Sequence, residues 1–174
     1  MLERLYPKRE IESVYGFDFR KAYDEGVRGL IFDIDNTLVP HDAPADARYE
    51  GLARNLTAMG FRLMIVSNNS APRVEAFTRE TGIPFICNAK KPSPKGYLNA
   101  CKQMGVPPEK TLFFGDQIFT DIWGANNAGI ESILVRPLDL STDLLKIRFK
   151  RLLEKPVLWA WHRRQKRMEK RTIS

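Results

Sequence analysis

Two aspartates one residue apart, Asp33 and Asp35, follow directly on an apolar run at 27–32, and Asn36-Thr37-Leu38 turns the chain just after them. A strand that ends in paired carboxylates delivers both to the rim of a sheet, where α/β enzymes hold their chemistry. Two further apolar runs end in polar clusters: 61–66 in Ser67 and Asn68, and 111–114 in Gly115-Asp116-Gln117, with Asp121 just beyond. Lys90-Lys91-Pro92 follows a shorter run. In a parallel sheet all C-terminal strand ends lie on one edge, so groups distant in sequence converge there.

Carboxylates gathered without a cation repel one another and are costly to bury. A divalent ion resolves the conflict. Oxygen-only donors suit Mg2+, which keeps waters and accepts one or two carboxylates plus a substrate phosphate. The Ser67 hydroxyl, backbone amides near it and the Lys91 ammonium supply donors for the remaining phosphoryl oxygens. The reaction implied is phosphoryl transfer on a phosphomonoester. One carboxylate serves as nucleophile to give an aspartyl-phosphate, and a second, two residues on, serves as acid and then base.

Taken singly, each group also has a plain structural account. Asp33 and Asp35 read as a solvated turn, Ser67 and Asn68 as a helix cap, Asp121 as a first-turn acid, and Lys90 and Lys91 as exposed charges. The combination in register points to chemistry, and the Lys-Pro order favours Lys91 over Lys90. A calcium loop starting at Asp33 is excluded: its sixth position is Leu38 rather than Gly, and its twelfth is Pro44 rather than Glu. Neither a P-loop nor a GxGxxG string is present.

The elements that must position these groups alternate. After a lead-in at 1–26, with a short helix ending near Gly26, the pattern predicts strands at 27–32, 61–66, 84–87, 111–114 and 132–135. Helices are predicted at 45–59, 72–80, 94–104 and 120–128. About five strands separated by four helices make an α/β, Rossmann-like, doubly wound parallel sheet, here forming a catalytic domain at 27–137. The chain has 174 residues, 43% of them hydrophobic, which is enough for one core.

Asp33-Ile34-Asp35-Asn36-Thr37-Leu38, Ser67-Asn68, Lys91-Pro92 and Gly115-Asp116-Gln117-Ile118-Phe119-Thr120-Asp121 resemble, in order, the four motifs of the haloacid dehalogenase superfamily of phosphatases. The resemblance implies Asp33 as nucleophile and Asp35 as general acid/base. Ser67 would bind a phosphoryl oxygen and Lys91 would stabilise the charged phosphoaspartyl state. Thr37 and Asn68 complete the substrate-binding set, Thr37 by positioning the turn after the nucleophile. Asp33, the backbone carbonyl of Asp35 and Asp116 would hold Mg2+, with Asp121 as a nearby acidic partner.

Members of that superfamily often insert a cap domain after the first motif or between the second and third. Here only 40–44 and 68–90 are available, too short for either insertion. An enzyme with no cap domain cannot close over a small metabolite, so it favours a substrate that covers the rim itself: a protein, a nucleic acid end or a membrane lipid. Asp35-Asn36-Thr37-Leu38-Val39-Pro40 and the fourth motif resemble the YqeG-like family, related to the mitochondrial and plastid phosphatidylglycerophosphate phosphatases. That resemblance implies phosphatidylglycerophosphate as substrate.

The formal charge of +7 resides wholly beyond residue 137: residues 138–174 hold 11 Lys and Arg against 4 Asp and Glu, whereas 1–137 balance at 17 each. This basic tail calls for an anionic partner, whether lipid headgroups, nucleic acid or an acidic protein. On a helix, Leu145, Phe149, Leu152 and Leu153 gather on one side of it, and Trp159 and Trp161 follow Pro156 beside a basic cluster. That pattern suits peripheral contact with an anionic membrane, while nucleic acid binding and packing onto the domain remain open. No stretch approaches the roughly 20 apolar residues of a membrane span, and the first residues lack a secretory pattern, so a cytoplasmic protein is expected. Cys87 and Cys101 read as reduced thiols, and His41 and His162 as exposed. A non-catalytic membrane- or RNA-binding module is the competing class.

Overall fold

A computed structural model describes residues 2–141 and 145–172, the side chains at 145, 146 and 169–172 excepted. Six strands, β1 (Arg9–Ile11), β2 (Gly29–Phe32), β3 (Arg62–Val66), β4 (Phe85–Ile86), β5 (Thr111–Gly115) and β6 (Glu131–Val135), form one sheet in the order β1-β6-β5-β2-β3-β4. Every pairing is parallel. The helices are α1 (Phe19–Asp24), α2 (Ala47–Ala58), α3 (Ala71–Thr78), α4 (Pro94–Met104), α5 (Trp123–Asn127) and α6 (Leu145–Thr172). The doubly wound α/β reading holds, and no cap domain interrupts it: 68–90 carry only α3 and β4.

The central strands are buried on both faces, which is why they read as unbroken apolar runs rather than alternating ones. On one face Leu30, Phe32, Ile65 and Phe114 pack with Tyr49, Leu56 and Phe77. On the other Ile31, Met64 and Phe113 pack with Tyr97, Ala100 and Ala125. A fully buried side chain of this kind contributes about 1.5–3 kcal/mol, so the strand centres are the most stable part of the molecule. Helix boundaries follow local chemistry. Asp46 caps α2 by accepting from Tyr49 N at 2.8 Å, and Gly105 ends α4 in the left-handed region at φ 66.

The lead-in departs from expectation by supplying the sixth strand. β1 lies beside β6, Arg9 opposite Ile133, at the edge of the sheet. Arg-Glu-Ile is too short and too polar to signal a strand, and only its partner defines it. The lead-in also steadies the site loop, because the Tyr15 hydroxyl donates to Leu38 O at 2.7 Å.

The segment predicted as one helix at 120–128 is instead a π-helical turn, Ile118–Ile122, running into α5. Wide turns of this kind accompany functional sites, and this one carries Asp121.

The tail differs more. α6 continues through Pro156 without a break. Its inner face is Glu154, Val157 and Trp161, all buried, with Val157 packed against Ile118, Ile122 and Leu134. Phe149, Leu152 and Leu153, which the helical projection groups as one apolar side, face solvent; the Leu145 side chain lies outside the described residues. The spacing of Glu154, Val157 and Trp161 gives one stripe on a 3.6-residue repeat, so docking is set by those positions. His162 is exposed as expected and meets Glu10 at 2.7 Å. Among the described residues no helix is long and apolar enough to cross a membrane.

Glu154, only 4% exposed, accepts from Ile118 N at 2.7 Å and Phe119 N at 3.3 Å, fastening α6 to the site turn. Burial pushes its carboxyl up to about 7, against the two N–H bonds that favour the charged form. The unfolded chain releases this proton nearer 4.5, so the contribution is fully present below that value and is lost as pH rises through about 7. Glu154→Gln should therefore flatten the decline in stability between about pH 5 and pH 8, by on the order of 2 kcal/mol. Denaturant unfolding of both proteins at the two pH values checks this; equal declines would refute it.

Candidate active site

β2 and β5 are neighbours at the point where the strand order reverses, the position at which open α/β sheets bind ligands beyond their C-terminal ends. Phe32 lies opposite Phe114, and Asp33 N donates to Phe114 O at 2.9 Å. The residues just past this pair, Asp33 and Asp116, are therefore brought to one place by sheet register. β3 and the loop after β4 add Ser67 and Lys91.

The Lys91 ammonium lies 2.7 Å from Asp33 Oδ1 and 2.6 Å from Asp121 Oδ1, with all three side chains buried. Lys90 is exposed, so of the two lysines it is Lys91 that reaches the acids. Asp33, Asp116 and Asp121 each offer a carboxylate oxygen, and those atoms lie within 4.8 Å of one another. Asp121, expected only as an outer partner, is a full member of this triad. Two features admit it. The π turn lets Gln117 N donate back to Asp121 Oδ2 at 3.0 Å, and Gly115 leaves room, since a Cβ there would stand 2.6 Å from Asp121 Cβ. From behind, the Tyr97 hydroxyl donates to Thr120 O at 3.0 Å and reaches Asp121 O at 3.2 Å.

Burial, with Asp121 alongside, raises the Asp33 carboxyl to about 7 against the pull of Lys91. Burial also lifts Asp116 well above its ordinary value, reinforced by Asp121 and Asp33 and opposed by Arg151. Lys91 is held protonated, because Asp121 and Asp33 together outweigh the burial that disfavours its charge.

Three carboxylates thus face two cations, Lys91 and, from α6, Arg151, whose Nη2 sits 2.5 Å from Asp116 Oδ2. Asp116 Oδ1 is buried with no hydrogen-bond partner. An orphaned carboxylate oxygen beside two further carboxylates is a donor set that fits a hard divalent cation such as Mg2+.

Asp35 stands apart from this triad. Its carboxylate accepts from Asn69 Nδ2 at 2.6 Å, Arg73 Nη2 at 3.2 Å and Asp42 N at 3.1 Å, with His41 Nδ1 at 3.7 Å. A place for Asp35 beside an ion held by this triad would rest on its backbone carbonyl. His41, expected to be exposed, has a side chain only 15% accessible and lines the same cavity. Asn69 and Arg73 escaped the sequence reading, although Arg73 lies in the first turn of α3, just after Ser70.

The Ser67 hydroxyl accepts from Asn69 N at 3.1 Å. Asn68, expected at the substrate, grips the main chain of Lys91: Oδ1 accepts from Lys91 N at 2.8 Å and Nδ2 donates to Lys91 O at 3.3 Å. The Thr37 hydroxyl is buried without a partner, and the turn holding it needs Asn36 at φ 59, a conformation asparagine tolerates. Ser67 and Asn68, with Asp33, Asp35 and Lys91, border a cavity of about 390 Å3 whose outer wall includes Ile147 and Lys150 of α6. A larger cleft of about 600 Å3 lies at the opposite ends of the strands, beside Arg62 and Gly105, and contains none of this carboxylate chemistry.

A family model described as haloacid dehalogenase-like hydrolase matches residues 45–129. The chain is 36% identical over 166 residues to the probable phosphatase YqeG of Bacillus subtilis, covering 94% of this chain and 96% of that one. The chain belongs to the haloacid dehalogenase-like hydrolases. It is a phosphatase of that family.

It is also 29% identical to the chloroplastic phosphatidylglycerophosphate phosphatase 1 of Chlamydomonas reinhardtii, over 83% of this chain and 57% of that one. A glyceraldehyde 3-phosphate phosphatase of Methanopyrus kandleri is 28% identical over 77% of this chain and 66% of that one. The chain thus spans less than two thirds of the length of both. The fold is shared with the cobalt-bound deoxy-D-mannose-octulosonate 8-phosphate phosphatase of Haemophilus influenzae, at TM-score 0.52 and 16% identity over 79% of this chain and 91% of that one.

Removing the guanidinium from this family member tests the charge balance. Arg151→Ala leaves Asp116 without its cation and should lower stability in metal-free buffer by about 3 kcal/mol. Added Mg2+ should then raise the melting temperature more in the variant than in the parent. Equal Mg2+ responses in thermal unfolding would contradict this account.

Proposed function

We propose that the enzyme is a Mg2+-dependent phosphatase working through an aspartyl-phosphate on Asp33, with phosphatidylglycerophosphate as its substrate. The observation that carries the chemistry is the Lys91 bridge between Asp33 and Asp121 beside the unpartnered oxygen of Asp116. Asp33, the carbonyl of Asp35 and Asp116 would hold the ion, with Asp121 next to them. When bound, Mg2+ neutralises phosphoryl charge and lowers the pKa of Asp33 towards the ionised form needed for attack.

Asp33 Oδ attacks phosphorus, the phosphorus–oxygen bond to the leaving group breaks, and Asp35 gives that oxygen its proton. Asp35 then takes a proton from water, whose oxygen attacks the same phosphorus and frees Asp33 together with inorganic phosphate. Asn69 and Arg73 hold Asp35 in place for both steps. Lys91 remains charged beside the phosphoaspartate, while Ser67 and Thr37 present hydroxyls to the phosphoryl oxygens.

Support for the lipid comes from three directions. Two relatives are phosphatidylglycerophosphate phosphatases, the Chlamydomonas protein and one of Arabidopsis thaliana at 25% identity. No cap domain closes over the cavity, so the substrate must complete the enclosure. The outward face of α6 sets exposed Phe149, Leu152 and Trp159 among Arg148, Lys155 and Arg163, the composition of a helix lying on an anionic membrane.

Phosphate release from phosphatidylglycerophosphate in mixed micelles, compared with glyceraldehyde 3-phosphate, nucleotides and phosphopeptides, tests the substrate; preference for any of the latter would overturn it. Asp33→Asn should abolish turnover in a folded protein. Asp35→Asn should reduce kcat by about 10²- to 10⁴-fold, as for a lost acid/base group, and near-parental turnover would remove that role. Trp159→Glu with Phe149→Glu should weaken flotation with anionic vesicles, and undiminished flotation would remove α6 from the membrane contact.

A further inference from the structure

The cavity that opens on Asp33 and Asp35 has two lysines on its wall, and their situations differ. Lys91 is buried and fully engaged with Asp33 and Asp121. Lys150 is exposed at the mouth, and among the described residues it takes part in no ion pair. The fold therefore makes no visible use of its charge. Ile147, one turn earlier, shares the wall, so α6 places an apolar side chain and an ammonium side by side above the phosphoryl site.

The position of Lys150 is not that of a loose surface lysine. Its neighbour Arg151 is fixed to Asp116, and Glu154, one turn on, is buried on the backbone of the π turn. These anchors hold this part of α6 against the site. An ammonium carried by an anchored helix over a phosphatase cavity, with no ion pair among the described residues, favours an anion other than the scissile phosphate, for which Lys91, Ser67 and the metal site already provide.

We infer that Lys150 is a specificity-determining residue that binds a second anionic group on the substrate, a phosphodiester one glycerol unit from the phosphomonoester. The inference rests on the phosphatidylglycerophosphate reading and deepens it. It assigns to α6 the discrimination between a doubly anionic headgroup and a simple phosphomonoester, a role the cap domain would otherwise hold.

The test is calorimetric binding to the full-length protein in Mg2+, using two probes that cannot be turned over. One is inorganic phosphate; the other is the glycerophosphoglycerol headgroup carrying a methylenephosphonate in place of its phosphomonoester. Lys150→Ala should weaken headgroup binding by about 10-fold and phosphate binding by less than about twofold, the loss expected for one charge-assisted contact. Lys150→Arg should keep the preference, and Lys150→Glu should lose more than Lys150→Ala. Equal losses for both probes, or none for either, would overturn the assignment. Phosphate release by the parent protein separates the two claims: headgroup binding that depends on Lys150 without release sinks the phosphatase chemistry alone, and release with no Lys150 effect sinks the subsite alone.

Discussion

Like charges buried together set the terms for this molecule. Asp33, Asp116 and Asp121 bring three carboxylates within one coordination distance in a place water scarcely reaches. Such an arrangement is unfavourable unless cations answer it, because desolvation penalises each charged form and each neighbour adds repulsion. Lys91 answers two of the three and Arg151 the third. Removing any one partner would leave an uncompensated buried charge, which costs far more than the net worth of the pair. The remaining deficit, one carboxylate oxygen with no partner among the described residues, is a place that a divalent ion would fit.

Much of the surrounding structure is arranged to permit this crowding. Parallel pairing of β2 with β5 places Asp33 and Asp116 side by side at the switch point, and β3 sets Ser67 on the other flank. Asp121 arrives by a different route. A regular helix after β5 would aim it elsewhere, whereas the π turn, the missing side chain at Gly115 and the Tyr97 hydroxyl bring it inward. Asn68 does for Lys91 what Tyr97 does for that turn, taking hold of its main chain so that the ammonium reaches two acids at once. The site is thus assembled from backbone register and a few fixed side chains, in line with the need to hold reacting groups before substrate arrives.

What could be read in the sequence was whatever depends on one strand or helix alone. The strand ends announced Asp33, Ser67 and Asp116, because buried parallel strands are apolar throughout and stop abruptly at polar residues. α4 matched its expected limits because Ser93, Pro94 and Gly105 punctuate it chemically. Features made by pairing were invisible. β1 exists only against β6, and the clamp on Asp35 from Asn69 and Arg73 depends on how α3 packs. α6 misled for a further reason. Its most conspicuous apolar residues point to solvent, while the contacts that dock it include Glu154 and Arg151, charged residues that a hydrophobicity pattern assigns to the outside.

That inversion explains how a phosphatase without a cap domain acquires a bounded site. The cap positions of the chain are too short to hold a domain, yet the cavity is not left as a bare rim, since α6 returns from the far end of the sequence and closes one side with Ile147 and Lys150. A helix fastened by polar contacts to the π turn cannot shift without disturbing Asp116 and the backbone at Ile118, so the wall and the carboxylate triad are mechanically linked. Because the opposite face of the same helix is basic and aromatic, one element touches both the reacting centre and the surface from which a lipid headgroup would approach. On the phosphatidylglycerophosphate reading proposed above, rigid attachment would have a direct use: the helix that shapes the pocket would also orient the substrate, and orientation of that kind is one of the larger contributions a protein can make to rate.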